Sequence, residues 1–229
     1  MKFTHIFFDL DHTLWDYDLN ARKVLSDLYQ QFELQREIVF GPERFTEVFF
    51  KTNDTLWQQY NQGNIDRDEI RTQRFRKVMA KCGAPDFEKT EEMSEYFLFN
   101  CPRQKATIAD ATMILDYLSK RYHLSVVTNG FDDVQSIKLE ACGLDKYFSH
   151  VFTSETTGHK KPSREIFDHA VKEVNAHVST TLMIGDNHST DIIGARNAGI
   201  TPLLYNPKGL VKSDCQLQIK TLSELMRLL

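Results

Sequence analysis

From residue 105 to the C-terminus, apolar residues alternate between two periods, and this alternation constrains the fold of the 229-residue chain more than any other feature. Ile108, Ala111, Leu115, Leu118 and Tyr122 recur at helical spacing, and Leu124–Thr128 then reads as a strand. A helix over about 132–142 follows, with Gly143 placed to cap its C-terminus. Val151–Thr153 is a short strand. Pro162 and Ser163 open a helix that carries Ile166, Phe167, Ala170, Val171 and Val174 on one face. Thr181–Ile184 is a further strand, a helix is expected over about 188–198, and Thr201–Tyr205 resumes the strand pattern. Thr221 and Glu224 form a capping box for a last helix. Strand and helix in turn predict an α/β protein, a parallel sheet with helices on both faces.

Phe3, Ile6, Phe7 and Phe8 supply one more buried strand of the same kind. The next strand begins only near Leu124, whereas a βαβ unit needs about 30 residues, so residues 16–100 read as an insertion. It holds no strand run. Phe45, Val48, Phe49, Thr52 and Leu56 share a helical face, as do Phe75, Val78 and Met79. The expected domains are a core of residues 1–15 plus 101–229 and an inserted helical cap of residues 16–100.

Composition removes several classes of function. Hydrophobic content of 41% and charged content of 26% are those of an ordinary globular chain. No segment reads as a spanning helix, and Asp9 and Asp11 stand where a signal peptide would carry its apolar stretch, so no membrane partner is expected. A net charge of −4 argues against nucleic acid. Cys82, Cys101, Cys142 and Cys215 are scattered without a C-x-x-C pair, which points to reduced thiols, a cytoplasmic location and no zinc site. His12, His159 and His188 lie near polar clusters but lack partners at ligand spacing, and are read as surface or loop residues.

Four strand ends carry polar clusters: Asp9-x-Asp11-x-Thr13, Thr128-Asn129-Gly130, Lys160-Lys161-Pro162, and Gly185-Asp186-Asn187 with Asp191. Ligands of open α/β sheets sit beyond the carboxyl ends of the strands. Two acids closing a buried strand there suggest a metal and an anionic substrate. Taken singly, each cluster is an ordinary turn or a solvated charge.

In this order and setting the clusters resemble the haloacid dehalogenase-like hydrolase superfamily, across the whole core. The resemblance implies a Rossmann-like sheet with a helical cap, and a phosphatase dependent on Mg²⁺. By the same resemblance Asp9 is the nucleophile that forms an aspartyl phosphate, and Asp11 is the general acid and then the base. Asp9, the Asp11 backbone carbonyl and Asp186 would hold the metal. Lys161, the Thr128 hydroxyl and backbone N–H groups around Asn129 would bind the phosphoryl oxygens, with Thr13 beside the substrate. Asp191 would orient Lys161 or a metal-bound water. Lys160 competes with Lys161, but the family motif has its lysine directly before proline. A dehalogenase needs no second acid, so Asp11 favours phosphoryl chemistry; a phosphohexomutase shares the aspartate pair. Motif one departs from the frequent Asp-Gly-Thr at His12.

A second, narrower resemblance involves Asn53-x-x-Leu-Trp57-x-x-Tyr60-x-x-Gly63-x-Ile65 and Arg74-Phe75, then Val127–Phe131 with Gln135, Leu139-Glu140 and Gly143-Leu144. These are similar to the bacterial pyrimidine 5′-nucleotidase group, which implies nucleoside monophosphate substrates. Trp57 and Phe75 are expected in the core of the helical bundle. Arg74 is either a phosphate or base contact or a surface ion-pair partner. The expected partner is a small phosphomonoester, admitted when the cap closes, and the expected assembly is a monomer or homodimer.

Overall fold

A computed structural model describes residues 3–229. In chain order, β1 (His5–Phe8) is followed by α1 (Tyr17–Gln31), α2 (Pro42–Asn61), α3 (Arg67–Lys81) and α4 (Thr90–Asn100). Then come α5 (Ala111–Leu118), β2 (His123–Thr128), α6 (Asp132–Cys142), β3 (His150–Thr153), α7 (Ser154–Thr157) and α8 (Arg164–Glu173). The chain ends with β4 (Thr181–Gly185), α9 (Ile193–Asn197), β5 (Thr201–Tyr205), β6 (Gln218–Ile219) and α10 (Leu225–Leu228).

The strands form one parallel sheet in the order β3-β2-β1-β4-β5-β6. The architecture is a Rossmann-like α/β core with an inserted set of helices. Ile6, Phe7 and Phe8 are fully buried, as a strand covered on both faces requires. Phe8 stands opposite Val126 on one side and Ile184 on the other. From β1 the chain steps outward through β2 and β3, then returns to the far side of β1 for β4. The reversal lies between β1 and β4, and crevices of this kind bind ligands at the strand carboxyl ends.

Three local features differ from the sequence expectation. β6 is only two residues long, too short to show a period. α5 begins at Ala111 rather than Ile108, because Asp110 is left-handed (φ 67°) and interrupts the helix there. The helix expected over 188–198 opens as a π-helical turn, His188–Ile192, before α9. Asn187 drives that opening: its side chain accepts from Ser189 N and Thr190 N, and its carbonyl accepts from Asp191 N and Ile192 N.

The chain divides into two compact units, residues up to Tyr17 with Lys105–Leu229, and Asp18–Gln104. In the second unit the Phe49, Phe75 and Phe97 rings meet with centroids 5.0–5.8 Å apart, a separation typical of attractive aromatic pairs. Phe75 is fully buried, while Trp57 is half-buried and edge-on to Tyr60. An Asp66–Glu69 capping box starts α3. Among the described residues, no strand occurs in Asp18–Gln104, and no helix is long and apolar enough to cross a membrane.

Candidate active site

β1 delivers Asp9 at its carboxyl end, where the Asp9 N–H donates to Ile184 O at 2.9 Å. The chain then folds sharply: Leu14 N and Trp15 N both donate to Leu10 O, and His12 N donates to Trp15 O. This turn requires φ of 63° at His12, the left-handed region that costs an L-residue about 1 kcal/mol and that glycine enters freely. The geometry accounts for a glycine being usual at this position. His12 itself is exposed, with its ring 5.1 Å from that of Tyr17. His159 is also exposed, and His188 is half-buried with Nε2 3.3 Å from Asp214 Oδ1.

Lys161 reaches Asp9 from the loop before α8. Its Nζ lies 2.6 Å from Asp9 Oδ1, 2.7 Å from Asp191 Oδ1 and 2.8 Å from Val127 O. Lysine is rarely this enclosed unless paired, and here the side chain is 2% exposed. Lys160, its rival in the sequence, is half-buried. Asn129 fixes the lysine from behind: its Nδ2 donates to Lys161 O at 2.8 Å and its Oδ1 accepts from Lys161 N at 2.7 Å. The Asn129 side chain therefore engages the Lys161 main chain.

Thr128, at the end of β2, accepts at Oγ1 from Gly130 N and from Gln135 Nε2, both at 3.0 Å. Both lone pairs are engaged, which orients the hydroxyl proton towards some other acceptor. Thr13 donates its hydroxyl proton to Asp186 Oδ1 at 3.1 Å, so it orients that carboxylate. Asp191 is fully buried and uses both oxygens, Oδ1 on Lys161 and Thr190, and Oδ2 on Asn187 N at 3.0 Å. Gly185 makes room for it: a Cβ there would lie 2.2 Å from Asp191 Oδ2.

Asp9, Asp186 and Asp191 each offer an oxygen within 4.8 Å of the others. Burial pushes Asp9 up to about 7, with Asp191 and Asp186 adding to the shift and Lys161 opposing it. Asp186 is pushed up to about 7 in the same way, by burial and then by Asp191. For Lys161, burial acts downward, but Asp191 and Asp9 outweigh it and hold the ammonium above the ordinary lysine range. Three carboxylates around one ammonium leave excess negative charge, and the donors are all oxygen. This donor set fits a hard divalent cation. Asp9 and Asp186 fit as ligands better than Asp191, whose two oxygens are already engaged.

Asp11 is half-buried and pairs with a residue that the sequence reading missed. Lys138 Nζ on α6 donates to its Oδ1 at 2.7 Å and Oδ2 at 2.8 Å, and Gln135 Nε2 to its Oδ2 at 3.3 Å. The available signal was a lysine on the same face as Gln135 and Leu139, the buried side of the helix.

Arg74 lies in the Asp18–Gln104 unit. The expected surface placement is corrected, because the residue is 4% exposed. Its Nη1 donates to Asn53 Oδ1 at 3.1 Å, and its guanidinium lies 4.9 Å from the Phe97 centroid and 5.8 Å from that of Phe49. Hydrogen bonding and aromatic faces stabilise a guanidinium that water would otherwise solvate.

Comparison with known proteins agrees with this geometry. The chain is 32% identical to pyrimidine 5′-nucleotidase PynA of Streptococcus pneumoniae, over 92% of this chain and 86% of that protein. It is 31% identical to the N-acylneuraminate-9-phosphatase of Homo sapiens, over 90% of this chain and 84% of that protein. The putative HAD-hydrolase YfnB of Bacillus subtilis, solved with magnesium, shares the fold at TM-score 0.90 and 24% identity, covering 100% of this chain and 99% of that one. The family profile described as haloacid dehalogenase-like hydrolase matches residues 3–199. On this match and on the acid cluster at the end of β1, the chain is a hydrolase that belongs to the haloacid dehalogenase-like family.

Proposed function

We propose that this chain is a Mg²⁺-dependent phosphatase that hydrolyses small phosphomonoesters, nucleoside 5′-monophosphates with pyrimidine bases above others. The observation that carries the reading is the pair of carboxylates two residues apart, each held by its own lysine. A dehalogenase of this family needs only the first. The second, Asp11, is about a quarter exposed and suited to exchange protons with a leaving group and with water.

In this reading Asp9 attacks phosphorus, the ester oxygen leaves with a proton from Asp11, and the phosphoryl group stays on Asp9 as an aspartyl phosphate. Asp11, now ionised, takes a proton from water as that water attacks phosphorus and frees Asp9. Lys161 and the oriented hydroxyl of Thr128 stabilise charge on the phosphoryl oxygens. Asp9, the Asp11 carbonyl and Asp186 would hold Mg²⁺, with Thr13 orienting Asp186. The ion would neutralise Asp9 and the phosphoryl charge so that the two anions can meet. The Asp18–Gln104 helices would act as a cap that excludes bulk water and admits small esters only. Arg74 is a candidate substrate contact within them. Four free cysteines fit a reducing, cytoplasmic setting.

The pyrimidine preference is supported by the similarity to PynA. The phosphatase of a phosphorylated sugar acid, at nearly the same identity, makes sugar phosphates the second reading. Phosphate release with Mg²⁺ or EDTA, across nucleoside monophosphates and sugar phosphates, tests both. Metal-dependent release led by dUMP, dTMP or UMP is expected. Release led by a sugar phosphate would retain the chemistry and replace the substrate class.

A further inference from the structure

Lys138 makes a contact to the site that the mechanism above does not use. It donates to both oxygens of Asp11, and its side chain is 8% exposed against 24% for Asp11. The ammonium lies 4.8 Å from the centroid of Trp15, which is fully buried and hydrogen-bonded into the turn through Leu10 and His12. The turn that carries Asp11 thus also supplies an aromatic wall for the lysine that binds it. Three residues earlier on the same helix face, Gln135 Nε2 bridges Asp11 Oδ2 and Thr128 Oγ1. One amide therefore connects the carboxylate to the hydroxyl at the end of β2.

A lysine on a helix ordinarily keeps its ammonium in water and buries only its stem. Enclosing the charge carries a desolvation cost that an apolar residue of similar volume would avoid. If α6 served packing alone, position 138 would be better filled by methionine or leucine. The arrangement instead restricts Asp11, whose side chain would otherwise sample several staggered rotamers.

We propose that Lys138 is a positioning residue: with Gln135 it fixes the Asp11 carboxylate in the one orientation that serves the phosphoryl group held by Thr128 and Asp9. The inference rests on the reading of Asp11 as the acid–base residue. Small misplacements of a reacting group cost up to about 100-fold in rate.

Lys138→Met keeps the length of the stem and removes the ammonium. We would measure kcat and KM of Lys138→Met, Lys138→Arg, Asp11→Asn and the Asp11→Asn/Lys138→Met double variant. The substrates are p-nitrophenyl phosphate, whose leaving group needs little protonation, and dUMP, an alkyl ester. If dUMP is not turned over, ribose 5-phosphate serves as the alkyl ester. For Lys138→Met we expect kcat/KM, which reports the steps up to departure of the leaving group, to fall about 10- to 100-fold on the alkyl ester and less than about 3-fold on the aryl ester. Lys138→Arg should recover most of the loss, and the double variant should be as slow as Asp11→Asn alone. Equal losses of kcat/KM on both substrates, or losses that multiply in the double variant, would overturn the positioning role and leave a structural one. If Asp11→Asn itself lowers kcat/KM equally on both substrates, the general-acid reading fails and the role of Lys138 fails with it. Should Lys138→Met not fold, Lys138→Gln provides the same comparison.

Discussion

Two lysines hold the two aspartates of the Asp9-x-Asp11 turn, and they do so differently. Lys161 is almost fully enclosed and contacts two carboxylates and a backbone carbonyl at once. Lys138 gives two hydrogen bonds to one carboxylate that remains about a quarter exposed. The contrast follows the chemistry proposed for each aspartate. A nucleophile must be held still, with its charge balanced, out of contact with water. An acid–base group must be held in place and still exchange protons with a leaving group and a solvent molecule.

The largest effect that could break this comparison is loss of Asp9. Asp9→Asn should lower kcat by at least about 10⁴-fold, as removal of a nucleophile does elsewhere; activity near that of the parent would rule out the assignment. Next is Lys161→Met, which leaves Asp9 and Asp191 without their cation. Removing one member of a buried ion pair costs about 3–5 kcal/mol, so urea denaturation should show a loss in that range. Lys138→Met should cost no more than about 1–2 kcal/mol, since Asp11 can turn to water. Equal losses for the two variants would erase the distinction.

A pH series sharpens the same contrast on the enclosed side. Asp9 and Asp186 titrate near 7 in the fold, against an ordinary carboxylate value near 4 in the unfolded chain. Between these values the folded chain holds protons that the unfolded chain has released. Stability of the metal-free protein should therefore fall as pH rises from about 4 to about 7. Mg²⁺ should raise the melting temperature more at pH 8 than at pH 5, where it must displace those protons. A Mg²⁺ effect that is larger at pH 5 would contradict the cluster as the metal site. The smallest effect is expected at the turn itself: His12→Gly should change stability by no more than about 1 kcal/mol, because relief of the left-handed strain is offset by greater freedom of the unfolded chain.

The parts of this site that could be read from the sequence lie where an apolar run stops. Asp9, Thr128, Lys161 and Asp186 each follow a strand or its loop, and parallel strands bring their carboxyl ends together whatever the order of the sheet. Lys138 was barely legible: it shares a helix face with Gln135 and Leu139, but a lysine there reads as a solvated charge until Trp15 and Asp11 are known to enclose it. Arg74 was half-legible for the same reason: its sequence neighbours do not show that Asn53, Phe49 and Phe97 surround it. The Asn129–Lys161 bonds link residues on separate loops, and no local period encodes them. β6 has too few residues to carry a pattern and exists because Leu204 and Asn206 donate to the chain at Leu217 and Ile219.

The central claim, that Asp9 carries the phosphoryl group between two half-reactions, is tested most directly by trapping it. Asp11→Asn lacks the base for the second half-reaction and should accumulate the acyl phosphate when mixed with p-nitrophenyl phosphate and Mg²⁺. Rapid acid quench, borohydride reduction and peptide mass spectrometry should then find homoserine in place of Asp9. A reduced residue elsewhere, or turnover of the aryl ester with no acyl phosphate at any time point, would contradict the account.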